Sequence, residues 1–242
     1  MQPGEHQRMF NAPGIVVGLL AVLAAVHGLR QLLSERQDDW VLLVLALIPA
    51  RFEVAGMPGD PWAGPLSFVS HALLHGDWLH LAINGAWLLA VGSPIARRMP
   101  ALNFLGFFAL CAAGGALLFL VMHPGLNVPM VGASGAISGL MGAVFRLMFA
   151  AQTPDEREVL REAPAEAPRL SVLQTFTSRQ ALIAIGVWVV VNMVAAFGLG
   201  TMDAPGGIAW EAHLGGFFTG LMTLDLFDRG RGARPMSPDT RT

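Results

Sequence analysis

Neither lysine nor tyrosine occurs in this chain; all 15 basic residues are arginine. Without lysine there is no amine for a Schiff base or for a Ser–Lys dyad. Without tyrosine, no step can use a phenol. Cysteine is reduced to one, Cys111, so no disulfide can close within the chain. Cys111 lies in an apolar run, which suits a buried packing residue better than a reactive thiol. Charge is scarce too: 13% of the 242 residues are charged, against about 25% in ordinary soluble domains. A net charge of −2 argues neither for nor against a nucleic-acid partner. With 54% apolar residues and a mean hydropathy of +0.55, the chain reads as one polytopic membrane domain.

The apolar runs predict six membrane-spanning helices at 13–33, 78–95, 101–122, 134–151, 181–197 and 208–227. Each approaches the roughly 20 residues that a ~30 Å hydrocarbon core requires. Residues 1–12 are polar and lack the small-residue cleavage site of a signal peptide, so they are expected to remain as a cytoplasmic N-terminal segment. The run 40–50 is stopped by Pro49 and is too short to span, which fits an interfacial segment leading into a Gly/Pro-rich loop over 56–65. Asp77 is positioned to cap the second span. The stretch 152–179 reads as a cytoplasmic loop with short surface helices, 198–207 as a glycine-rich outer loop, and 229–242 as a cytoplasmic tail. The membrane domain proper is 13–228.

Arginine placement supports this count. With the N-terminus inside, Arg8, Arg97, Arg98, Arg157, Arg161, Arg169, Arg179 and the tail arginines fall on the inner side, leaving Arg30, Arg36 and Arg51 outside. Making 40–50 a full span would reverse most of them. The expected setting is a bacterial inner membrane with both termini cytoplasmic. Under this topology the second, fourth and sixth spans all enter from outside, so their first turns lie at one depth.

Those turns carry the polar residues. Gly132-Ala133-Ser134-Gly135 sets a hydroxyl among small residues, and Gly135 and Gly139 form a G-x-x-x-G pair. Alone, this four-residue pattern reads more readily as a packing stripe than as a nucleophile motif. His213 is the only histidine in the last three spans, followed by the G-x-x-x-G pair Gly216 and Gly220. An imidazole inside a membrane is a functional candidate, although an interhelical hydrogen bond would also explain it. His80 and Asn84 share a helix face and offer two hydrogen-bond donors. Glu211, two residues before His213, lies on another face, so a Ser–His dyad is expected rather than a triad. His71 and His75 lack the glutamate of an H-E-x-x-H motif and read as loop-packing residues. Asn192 reads as interhelical glue, and Arg146 as an inward-snorkelling side chain.

In order and spacing, these motifs resemble the rhomboid family of intramembrane serine proteases over roughly residues 50–226. The resemblance implies an all-α bundle of six transmembrane helices with a large half-embedded first loop. It further implies Ser134 as nucleophile and His213 as general base, with His80, Asn84 and the Ser134 backbone N–H as oxyanion hole. The implied reaction cuts transmembrane segments of membrane proteins near their outer end, with 198–207 as a cap. The expected partners are transmembrane substrates and the lipid bilayer, and no cofactor, metal or nucleic acid is called for. Rhomboids commonly carry a tyrosine one turn after the serine, stacked on the histidine; here that position is Ser138. Another group must then hold His213, with Phe217 and Trp210 the aromatic candidates. The alternative is a rhomboid-like pseudoprotease that binds helices without cutting, but such a chain should have lost one of these groups. A small transporter would need broken helices or paired intramembrane carboxylates, which are not seen.

Overall fold

A computed structural model describes residues 12–196 and 208–228. Most of the expected 1–12 segment, the 198–207 cap and the 229–242 tail lie outside them. The described chain is helical, and its only extended pairing is an isolated bridge between Leu47 and Met130.

Helix α1 spans Gly14–Arg30, after Pro13, which has no amide hydrogen to leave unsatisfied. Arg30 then grips Asp38 through two hydrogen bonds of 2.7 and 2.9 Å and the His75 carbonyl at 2.9 Å. Helix α2 (Glu35–Leu45) covers most of the expected interfacial run but starts earlier, because Gln37 folds back to accept the Ser34 N–H at 3.0 Å. Its 11 residues are too few to span. A single turn, Pro49–Phe52, follows, and then α3 (Ala63–Ser70) rises where mostly loop is expected. Pro65 falls in the first turn of α3, where its missing N–H costs nothing.

Helix α4 (Trp78–Trp87) is capped by Asp77, whose carboxylate accepts the His80 N–H at 2.8 Å. It continues through a π-turn at Leu88–Gly92 into α5 (Ser93–Ala96). The widened turn accommodates Pro94, which cannot donate to the carbonyl four residues back. Next come α6 (Ala101–Met122) and α7 (Ser134–Met148), and then two short helices, α8 (Pro154–Glu162) and α9 (Val172–Thr177). Thr153 with Glu156, and Ser171 with Gln174, form the capping boxes of α8 and α9. Helix α10 (Arg179–Val194) and α11 (Trp210–Phe227) complete the order.

Each of the six expected spans overlaps a helix over its described residues, with α1 ending at Arg30 and α7 at Met148, each three residues short of expectation. Among the described residues, Trp78–Ala96 and Ala101–Met122 are long and apolar enough to cross a bilayer; Gly14–Arg30, Ser134–Met148 and Arg179–Val194 are apolar but shorter.

The heart of the bundle is α6, α7 and α11, and glycines set its spacing. A Cβ at Gly216 would strike the Gly135 carbonyl, one at Gly220 the Gly139 carbonyl, and one at Gly142 the Phe217 carbonyl. On the α6 side, a Cβ at Gly115 would lie 2.6 Å from the Ala212 carbonyl. The two G-x-x-x-G pairs thus mesh backbone to backbone.

At the far end of α7, Arg146 does not snorkel. Its side chain is fully buried and donates to both carboxylate oxygens of Asp225 (2.7 and 2.9 Å), to Leu170 O (2.8 Å) and to Leu221 O (3.0 Å). Arg169 bridges Asp225 (2.6 Å) and Asp228 (2.8 Å), and Arg98 meets Asp228 at 2.8 Å while donating to the Pro164 and Ala167 carbonyls. Enough acceptors converge there that the guanidinium groups need not reach water.

Candidate active site

Ser134 is the first residue of α7, half-buried, on a helix end whose leading N–H groups have no acceptor within the helix. Two residues earlier, Gly132 has φ +121°, a left-handed conformation that favours glycine. Its N–H donates to the His71 carbonyl at 3.0 Å, tying the loop before Ser134 to the segment before α4. A side chain there would also be blocked: a Cβ at Gly132 would lie 2.8 Å from His80 Nε2 and 3.7 Å from Asn84 Nδ2. The polar face of α4 is therefore pressed against the peptide leading into Ser134.

Both α4 residues offer a donor. Asn84 is buried, and its Nδ2 has no hydrogen-bond partner. Leaving such a group unpaired in a dry interior costs about 1–3 kcal/mol, so this donor is available to an acceptor brought against Gly132. His80 Nδ1 accepts a long hydrogen bond from the Gly76 N–H (3.4 Å), so in the neutral ring the proton sits on Nε2, the nitrogen facing Gly132. Asp77, capping the same turn, has its carboxyl held below the usual range chiefly by the His80 backbone N–H. His75 packs edge-on against His80 with ring centroids 5.0 Å apart, and His71 Nδ1 lies 2.8 Å from the Ser67 carbonyl.

Helix α11 approaches from the other side. The Ala212 carbonyl lies where a Cβ on Gly135 would be 3.2 Å away, bringing the turn that carries half-buried His213 against the turn that carries Ser134. Glu211 is buried and paired with His123 Nε2 at 2.8 Å, on the α6 side. Ser138 is buried in α7. Phe217 does not hold the His213 ring as expected of an aromatic candidate: it stacks on Trp188 (4.2 Å, 21°). The observed hydrogen-bond partner of His213 is Asn192, whose Oδ1 lies 2.8 Å from Nδ1. Among the described residues, no group of three or more His, Cys, Asp or Glu could hold a metal.

Three motifs distant in sequence thus meet within one turn of Ser134, and comparison with known proteins gives the arrangement a family. The Rhomboid domain family matches residues 62–228, from just before α3 through the ionic cluster. The chain belongs to the rhomboid family. Rhomboid protein 1, mitochondrial, of Saccharomyces cerevisiae is 26% identical over 214 residues, covering 86% of this chain and 51% of the relative. The chain therefore spans about half the length of the curated relative that it matches. As a rhomboid, it is a helical integral membrane protein.

Two polar contacts of this rhomboid go beyond what its sequence conveys. In sequence Asn192 reads only as a generic helix contact, although it is the one polar side chain in the apolar stretch 181–197. Arg146 reads without a partner, although an aspartate inside the last apolar run, Asp225, is the available signal.

Proposed function

We propose that this rhomboid is a serine endopeptidase that cuts transmembrane segments of membrane proteins near their outer end, with Ser134 and His213 as a catalytic dyad. One observation carries the reading: the unpartnered Asn84 Nδ2 and the His80 Nε2 both lie against Gly132, two residues before a serine at a helix N-terminus. Such donors, with the Ser134 backbone N–H, suit an oxyanion better than a resting core.

The chemistry follows from those groups. His213 Nε2 takes the Ser134 Oγ proton as Oγ bonds to the scissile carbonyl carbon. The resulting oxyanion is held by Asn84, His80 and the Ser134 N–H. His213 then gives its proton to the leaving nitrogen and the C–N bond breaks, leaving an acyl-serine. A water molecule, deprotonated by the same imidazole, attacks the ester carbon; the C–Oγ bond then breaks as the imidazolium returns its proton to Oγ, releasing the second product as a carboxylic acid. Glu211 takes no part.

We further propose that 13–228 is a six-span domain of a bacterial inner membrane, with both termini and the 152–179 loop cytoplasmic. The arginine distribution supports this orientation.

The test uses purified protein in liposomes, a fluorophosphonate probe and a model transmembrane substrate. Wild type should label and cleave. Ser134→Ala and His213→Ala should each lose nearly all activity, with the double variant little worse, because residues acting as a unit are not additive. Undiminished cleavage by Ser134→Ala overturns the dyad, and a wild type that binds helices without cutting them is the pseudoprotease.

A further inference from the structure

We infer that Asn192 is a positioning residue for His213, accepting the Nδ1–H bond that leaves the lone pair on Nε2 for Ser134. This rests on the dyad reading and deepens it. The polarity of the asparagine amide is fixed from its other end. Its Nδ2 donates to the Trp188 carbonyl at 2.8 Å, and a carbonyl can only accept. Oδ1 is therefore the atom facing His213, at 2.8 Å, and it too can only accept. Nδ1 must then carry the proton, which makes Nε2 the basic nitrogen of the neutral ring.

The register is fixed as well. Trp188 and Asn192 are one turn apart on α10, and Phe217 and His213 are one turn apart on α11. Trp188 stacks on Phe217, so the Asn192–His213 bond is the next rung of the same antiparallel ladder. The stacked rung fixes how α10 faces α11, and the hydrogen bond then fixes which way the His213 ring nitrogens point. Glu211 cannot substitute, since it is engaged by His123. An asparagine thus does, through an amide carbonyl, the orienting work that a chain without tyrosine cannot give to a phenol ring.

Asn192→Leu removes the acceptor, while Asn192→Asp keeps one at the same reach. With sites counted by fluorophosphonate labelling, Asn192→Leu should lower kcat by roughly 10²-fold, the size of a small misplacement, and leave KM within about twofold. Asn192→Asp should recover most of that loss. A merely structural asparagine would lower the folded fraction and leave kcat per labelled site intact. Asn192→Ala replaces Asn192→Leu where the latter does not fold. A folded variant lacking the acceptor, with kcat within about threefold of an active wild type, overturns the positioning role alone. A wild type that neither labels nor cleaves overturns the dyad and this role together.

Discussion

Asn84 and His80 bring their nitrogens to one peptide from one face of α4, but they are not equivalent. Asn84 Nδ2 is buried and unpartnered, whereas His80 is held at Nδ1 by a long bond from Gly76. The better-desolvated donor should contribute more to stabilising a developing charge. Asn84→Ala is expected to lower kcat by ~10-fold or more, softened from the ~10²–10³ of a lone strong donor because His80 and the Ser134 N–H remain. His80→Ala should cost less, and the double variant should be worse than either. Steady-state kinetics on the three proteins check this; a double variant matching wild type would make both residues structural. Ser134, His213, His80 and Asn84 stand out in the sequence as candidates because polar groups are costly inside apolar runs, and the proposed six-span topology would put them at one depth. Asn192 is not legible as a partner of His213. Their bond crosses 21 residues between two helices whose relative rotation no apolar period fixes, because α10 is apolar on nearly every side.

At the scale of elements, the seam of α7 against α11 is the tightest contact around the site. Gly220→Ala would push a methyl into the Gly139 backbone, and Gly216→Ala one into Gly135, one residue after the proposed nucleophile. Neither obstacle is a flexible side chain, so the helices must separate. Each substitution is expected to cost about 1–3 kcal/mol through overpacking and to reduce cleavage with it. Gly18 in α1 and Gly186 in α10 face open space, with nothing within 4 Å of the position a Cβ would take. There Gly→Ala should stabilise, or at worst be neutral, by up to about 1 kcal/mol from helix propensity. Thermal unfolding of the four variants separates the classes. The G-x-x-x-G pairs are legible as pairs, but not which pair meshes with which. Helix α3 escapes because Gly64 and Pro65 in its first turn look like loop, while packing of Arg51 and Phe52 against Gly64 supports a helix there.

Across the whole molecule, the proposed active site lies near one end of the bundle and the ionic cluster at the other, on opposite ends of α7 and α11. Arg98 and Asp228 are both fully buried, so Asp228→Asn takes from Arg98 its carboxylate partner, while Arg169 keeps Asp225, and should cost about 3–5 kcal/mol. Arg161, 74% exposed beside Glu158, is the control: Arg161→Ala should change stability by under about 1 kcal/mol. Unfolding midpoints compare the two. The cluster is hidden in the sequence because Arg146 and Asp225 are 79 residues apart, and either alone reads as a residue reaching for water. The topology has its own test. In a Cys111→Ala background, cysteines introduced at 59–64 should react with an impermeant thiol reagent from outside and those at 158–168 should not; the reverse pattern would invert the orientation. Translation order gives the glycine seam one more consequence. The helix bearing Ser134 leaves the ribosome before the one bearing His213, so on the proposed chemistry the growing chain holds a serine without its base. On that proposal it should stay inert toward neighbouring membrane proteins during its own synthesis. Because Gly135, Gly139 and Gly142 meet the backbone of α11 directly, the proposed site is assembled only when α11 docks in that seam.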